Sequence, residues 1–253
     1  MVALLSLLLA IQAVAARPPQ PNLPDKKKVE SVSDLYKEAK ALIDENENGN
    51  CHRAIELIEK VLRAAPKFSD AWFLKGYCED ELGTFDLAAT AYERAIAIDA
   101  DNGDATADFV FYDLGLAYYS LGRHEDARSA LEKVIRINPK NRDAHFTLGQ
   151  TNIFLTQYLE AIQNFKTVIA LDEDQWDAFN NLGVAYRELG RYGEAIDALK
   201  EAIRRGPSEL WPHFHLGVTY LKAGNRAAAL DEYKVINSHD PQLADKLFRE
   251  LYR

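Results

Sequence analysis

Five glycines restrict what this chain can fold into. Gly76, Gly115, Gly149, Gly183 and Gly217 each stand twelve residues before an alanine, at Ala88, Ala127, Ala161, Ala195 and Ala229. From Gly115 onward the step is 34 residues every time, while the first step is 39, which puts an insertion at residues 103–107. A period of this length belongs to a chain built from one supersecondary unit stacked on copies of itself. Residues 176–209 show what that unit is. Phe179, Leu182 and Tyr186 recur at helical spacing and form one apolar face. Gly190 interrupts that helix, and Tyr192, Ala195, Ile196, Leu199 and Ala202 supply the facing stripe of a second, which Pro207 stops. Gly183 and Ala195 are small because the two helices cross there. The unit is a helical hairpin whose open sides need neighbours.

The order of these residues closely resembles the tetratricopeptide repeat, which reads large residue, Leu-Gly, Tyr, Gly, Ala, large residue, Ala and Pro. One repeat carries Phe179, Leu182-Gly183, Tyr186, Gly190, Ala195, Leu199, Ala202 and Pro207. Another carries Phe111, Leu114-Gly115, Tyr118, Gly122, Ala127, Leu131, Val134 and Pro139, and the last carries His213, Leu216-Gly217, Tyr220, Gly224, Ala229, Tyr233, Ile236 and Pro241. Lys75 stands where Leu is usual, Ala100 and Glu173 where Pro is, and Asn152 where Tyr is. The resemblance implies an all-α fold, a right-handed α-solenoid of antiparallel helix pairs. Its repeats span 69–102, 108–141, 142–175, 176–209 and 210–243. Ala54, Val61 and Pro66 sit one step earlier and mark a degenerate repeat at 33–68, with a Ser-capped helix over 33–43 and a turn at 45–50. Leu243, Leu247 and Leu251 share one helical face near the end, so residues 244–253 are read as a cap over the last repeat.

Residues 2–16 carry no charge and end in Ala13-Val14-Ala15-Ala16, small residues of the kind a signal peptidase reads. The apolar stretch is shorter than the roughly 20 residues of a membrane span. Residues 1–16 are therefore expected to be a secretory signal, and the chain exported to the periplasm or secreted. The alternative is a membrane anchor at residues 2–16, the one route to membrane contact. Residues 17–32 follow as a linker, with four of the nine prolines in 17–25.

Net charge is −9 and the longest basic run is Lys26-Lys27-Lys28, a poor match to a phosphate backbone, so nucleic acid is not expected. The motifs of phosphate-binding loops, zinc hydrolases, dithiol redox sites and serine hydrolases are missing from the sequence. His213 and His215 point to different faces of one helix and are not expected to share a metal; His213 reads as a packed, hydrogen-bonded ring. No carboxylate reads as isolated in an apolar setting. The expectation is a chain with no catalytic residue, metal or cofactor. Cys51 and Cys78 are the only cysteines. The resemblance brings their helices near one another, so they are a candidate disulfide, with two unpaired thiols as the alternative.

The resemblance also implies where a partner binds. One side of each first helix lines the family's concave groove and holds peptide segments. Here that side carries Phe73 and Tyr77, then Phe109, Tyr112, Leu116 and Tyr119. Phe146, Gln150 and Ile153 follow, then Asn180, Val184 and Arg187, and finally Trp211, Phe214, Val218 and Leu221. Phe73, Tyr112 and Phe146 replace the Lys and Asn with which some members clamp a terminal carboxylate, so that clamp is not expected. So many rings suit an apolar or amphipathic protein or peptide segment. The function expected is a non-catalytic interaction scaffold or assembly factor of the cell envelope or exterior. Two alternatives remain, a permanent structural subunit of a larger complex and, more weakly, a protein handling sugars or lipids.

Overall fold

A computed structural model describes residues 26–44, 50–103 and 107–252. Among these residues there are thirteen helices and no strand. They are α1 (Lys26–Asp44), α2 (Asn50–Ala64), α3 (Ser69–Glu81), α4 (Phe85–Asn102), α5 (Asp108–Ser120), α6 (His124–Ile137) and α7 (Arg142–Phe154), followed by α8 (Tyr158–Leu171), α9 (Trp176–Glu188), α10 (Tyr192–Arg205), α11 (Leu210–Lys222), α12 (Arg226–Asn237) and α13 (Pro241–Leu251). The described residues up to Asn138 form one compact unit, and those from Pro139 form a second.

In the N-terminal unit the hairpins are α1–α2, α3–α4 and α5–α6; in the C-terminal unit they are α7–α8, α9–α10 and α11–α12, with α13 against the last. Within each unit the first helices of successive hairpins also touch: α1 meets α3 and α3 meets α5; α7 meets α9 and α9 meets α11. This is the helix-pair packing that the 34-residue period predicts.

The periodic glycines act as holes for large residues. A Cβ on Gly183 would lie 2.5 Å from Leu199 Cγ and 3.2 Å from the Ala195 carbonyl oxygen. The same hole takes the Tyr92 ring at Gly76, Leu131 at Gly115 and the Phe165 ring at Gly149. At Gly217 the filling residue is Leu247 of α13. Helix α13 thus reaches into the last hairpin, burying Leu243, Ala244, Leu247 and Leu251 along one face. The cap expected from the sequence is present, and it begins at Pro241, with the Asp240 carboxylate accepting from the Gln242 and Leu243 amides.

A left-handed residue ends the first helix of each full hairpin. Gly83, Gly122, Gly190 and Gly224 have φ between 72° and 81°, and the next amide reaches back to close the helix end, as Arg191 N–H does to the Tyr186 carbonyl at 2.9 Å. The α7–α8 hairpin has the same turn, with Gln157 N–H on the Asn152 carbonyl at 2.8 Å, but Thr156 occupies the left-handed position at φ 58°. A β-branched residue is strained there. Thr156→Gly is therefore expected to stabilise the protein by about 1 kcal/mol, read as a higher melting temperature; an unchanged or lower value would contradict this account of the turn.

Three local expectations are corrected. Helix α1 begins at Lys26, so residues 26–32 are helical and not linker, and Ser33 lies inside the helix rather than capping it. The last proline of the segment is Pro24, and nothing after it prevents helix formation. Helix α2 begins at Asn50, which the sequence reading gave to the preceding turn. Part of the insertion at 103–107 follows a longer second helix: α4 has 18 residues where α6, α8 and α10 have 14, and it ends on Gly103 at φ 75°. Residues 1–25, and with them the expected signal and most of the linker, lie outside the described residues. Among the described residues no helix is long and apolar enough to cross a membrane.

The unusual residues are absorbed differently. Lys75 reaches Glu59 of α2 at 3.0 Å. Asn152 is 3% exposed and its Oδ1 has no hydrogen-bond partner among the described residues, so losing the usual tyrosine leaves a polar atom stranded in the core.

Candidate binding faces on the first helices

The first helices place their expected binding residues at different depths. In the N-terminal unit Phe73 is 4% exposed and lies edge-on to Phe109, ring centroids 5.0 Å apart, with Tyr92 on another side. Tyr112 is also buried, at 7% exposure. The expectation that these two rings line an open face is corrected. Because α3 touches α5, a ring on this side is enclosed between successive first helices. Tyr77, Phe109, Leu116 and Tyr119 are half-buried, and Tyr119 stands edge-on to His124.

The same unit holds a pair of acidic side chains that no local sequence pattern marks. Asp80 on α3 and Asp113 on α5 are close enough to repel one another, and among the described residues neither carboxylate has a hydrogen-bond or ion-pair partner. Burial, then Glu81, pushes Asp80 up to about 6, and burial, then Asp80, pushes Asp113 well above the usual carboxylate range. Among the described residues the groups that interact electrostatically with them include Tyr77, Tyr92, Glu81 and Cys78. Both folded-state values are raised, so the stability these groups contribute is complete below pH 3.8. It is lost as pH rises through about 6 for Asp80, and for Asp113 as pH rises through its own raised range. Asp113→Asn is expected to raise stability at pH 8 by about 1–3 kcal/mol and to change little at pH 4. Thermal melts at the two pH values check this; equal effects at both would show that Asp113 stays charged in the fold.

In the C-terminal unit Glu201 and Glu188 are paired with cations instead. Arg204, then Arg205, hold Glu201 at about 2, and Glu188 takes Arg187 Nε at 2.9 Å and Lys222 Nζ at 3.3 Å. Here the expected face is more open. Trp211 is 47% exposed and stands at the centre of a ring cluster, edge-on to Phe214 at 5.6 Å and stacked on His215 at 5.9 Å. The Lys246 ammonium lies 5.4 Å from the Trp211 ring centroid. Phe214 is half-buried, as are Val184, Val218, Leu221, Gln150 and Ile153. Phe146 is half-buried against Phe165, edge-on at 5.8 Å.

Polar groups on this face converge on α9 and α11. Arg187 Nη1 lies 3.4 Å from His215 Nδ1, and burial, then the Arg187 charge, lowers His215 to about 4. At neutral pH His215 is therefore an uncharged ring. Asn180 is 7% exposed, and among the described residues its Oδ1 has no hydrogen-bond partner. A buried unpaired acceptor costs stability unless something supplies a donor. Asn181 donates to the Asp177 carbonyl at 2.9 Å and is held within its own helix. His213 packs as expected, its Nδ1 2.6 Å from Glu232 Oε2. Among the described residues no group of three or more metal-ligating side chains converges. Cys51 and Cys78 are unbonded, and their thiols are hydrogen-bonded to each other.

Helical hairpins stacked through their first helices define a class of repeat modules. Tetratricopeptide repeat models match residues 36–105, 115–152, 154–209 and 186–252. The chain belongs to the tetratricopeptide repeat family, whose fold serves generally as a protein-interaction scaffold.

Among known proteins, 112 residues are 27% identical to Superkiller protein 3 of Schizosaccharomyces pombe, covering 44% of this chain but 8% of that protein. The crystal structure of MamA protein superposes with a TM-score of 0.61 at 25% identity, covering 70% of this chain and 94% of MamA. YrrB, described as a TPR protein with an unusual peptide-binding site, superposes with a TM-score of 0.62 at 20% identity, covering 76% of this chain and 97% of YrrB. At that identity the YrrB likeness concerns the fold alone.

Proposed function

We propose that this chain is a non-catalytic scaffold or assembly factor, exported to the cell envelope or beyond, that captures an apolar or amphipathic segment of a partner protein. The observation that carries this reading is the face of α9 and α11. The exposed Trp211 ring stands there edge-on to the half-buried Phe214. An apolar or amphipathic segment offers side chains that pack on these rings. Aromatic rings contribute large contact area at low entropic cost, which makes Trp211 the anchor and Phe214 its support. The peptide-binding site ascribed to YrrB makes such a use of the fold familiar.

A photo-crosslinking residue at position 211, introduced in the native host, tests this. The reading expects a discrete partner, recovered outside the cytoplasm, whose crosslinked stretch binds as a synthetic peptide. Trp211→Ala should weaken that peptide by more than about 2 kcal/mol with little loss of stability. A peptide that binds equally well to wild type and Trp211→Ala would overturn the reading. N-terminal sequencing of the purified native protein tests the export step, where a start near Ala16 or Arg17 is expected and a retained Met1 would refute cleavage.

A further inference from the structure

The two cysteines are not equivalent, and their difference points to chemistry. Cys51 is the second residue of α2, in the first turn, where unpaired backbone N–H groups and the helix dipole favour a negative charge. It is half-buried, whereas Cys78, in the middle of α3, is fully buried. The two thiols lie within hydrogen-bonding distance of each other and belong to adjacent helices of successive hairpins.

We infer that Cys51 and Cys78 form a thiol–disulfide exchange site, in which Cys51 attacks disulfides from solution and Cys78 resolves the product. Position sets the roles: Cys51 is half-buried in the first turn of α2, whereas Cys78 is fully buried within α3. Contact with the Cys78 thiol favours the Cys51 thiolate, against burial and the nearby Glu81 and Glu79. The same contact, then burial, keeps the Cys78 proton in place. A thiolate is the attacking form of cysteine, and an accessible one at a helix N-terminus meets the conditions for reactivity.

The steps balance with a small-molecule disulfide as oxidant. The Cys51 thiolate attacks one sulfur of that disulfide; its S–S bond breaks, one half leaves as a thiolate and the other half stays bonded to the Cys51 sulfur. Cys78 passes its proton to the released thiolate and attacks the Cys51 sulfur, breaking the mixed disulfide and expelling the second half as a thiolate, which takes a proton from water. The protein loses two electrons and the small molecule is reduced to two thiols. The new bond ties α2 to α3 and so locks the first hairpin onto the second.

The test uses the full reduced chain and oxidised glutathione, with acid quenching and peptide mapping by mass spectrometry. The expected sequence is a transient glutathione adduct on Cys51, then a Cys51–Cys78 disulfide with no retained glutathione. The melting temperature rises by several degrees and dithiothreitol reverses the rise. Cys78→Ala should stop at the Cys51 adduct, and Cys51→Ala should react at least about tenfold more slowly, since a buried thiol is inert. Adducts forming on Cys78 as fast as on Cys51, or both thiols remaining free, would overturn the proposal. The wild-type map gives this answer even if a variant fails to fold.

Discussion

Gly183→Leu is expected to destabilise the protein by about 3 kcal/mol, the upper end of the range for overpacked cores. A Cβ alone at this position lies 2.5 Å from Leu199 Cγ, and Ala195, the next neighbour, presents backbone that cannot rotate away. The larger side chain must force α9 from α10. Both helices also touch neighbours, α9 on α8 and α10 on α11, so the strain spreads beyond one hairpin. Chemical denaturation should show a lower midpoint, and hydrogen exchange should speed up in α8 to α11 together. A midpoint equal to wild type would mean that the crossing is looser than the geometry indicates. The same substitution at Gly193, whose Cβ would meet nothing within 4 Å, is the control and should be nearly neutral.

Phe73→Ala is expected to cost about 3–5 kcal/mol, the usual range for emptying a buried phenylalanine site. Its ring is enclosed by Phe109 and Tyr92, and the cavity would open between α3 and α5. Tyr112→Ala belongs with it. Trp211→Ala should behave in the opposite way, because its ring is about half in solvent and its removal leaves no enclosed void. Circular dichroism melts on the three variants decide between the two roles. A small loss for Phe73→Ala, or a collapse for Trp211→Ala, would contradict the depths assigned to these rings.

These paired outcomes mark how far the sequence could be read. The hairpin, its glycine holes and its cap were legible because each rests on local periodicity repeated several times over. The knob opposite Gly183 sits at a fixed distance along the chain, so Leu199 could be recognised from spacing alone. Burial of Phe73 could not, because Phe109 that covers it comes from the next hairpin. For the same reason Asp113 looked like an ordinary surface carboxylate: the apolar surroundings that raise its protonation range are gathered from α3 and α4 as well as its own helix. Thr156 gave no signal because threonine has no preference for a left-handed turn, and only its backbone reveals the strain. On the binding faces, spacing found the stripe but not its depth, which is decided by contacts between repeats.

The way Leu247 fills the hole over Gly217 has a practical consequence for anyone engineering this protein. In the other full hairpins that seat is taken by the hairpin's own second helix, but in the last one it is borrowed from α13. A truncation that removes α13 would therefore leave α11–α12 unplugged, with Ala229 and Ile236 newly wetted, and an insoluble product is the natural result. Labels and fusion partners belong after Tyr252, where the side chain is already 63% exposed, or on the outward face of α13 beside Phe248.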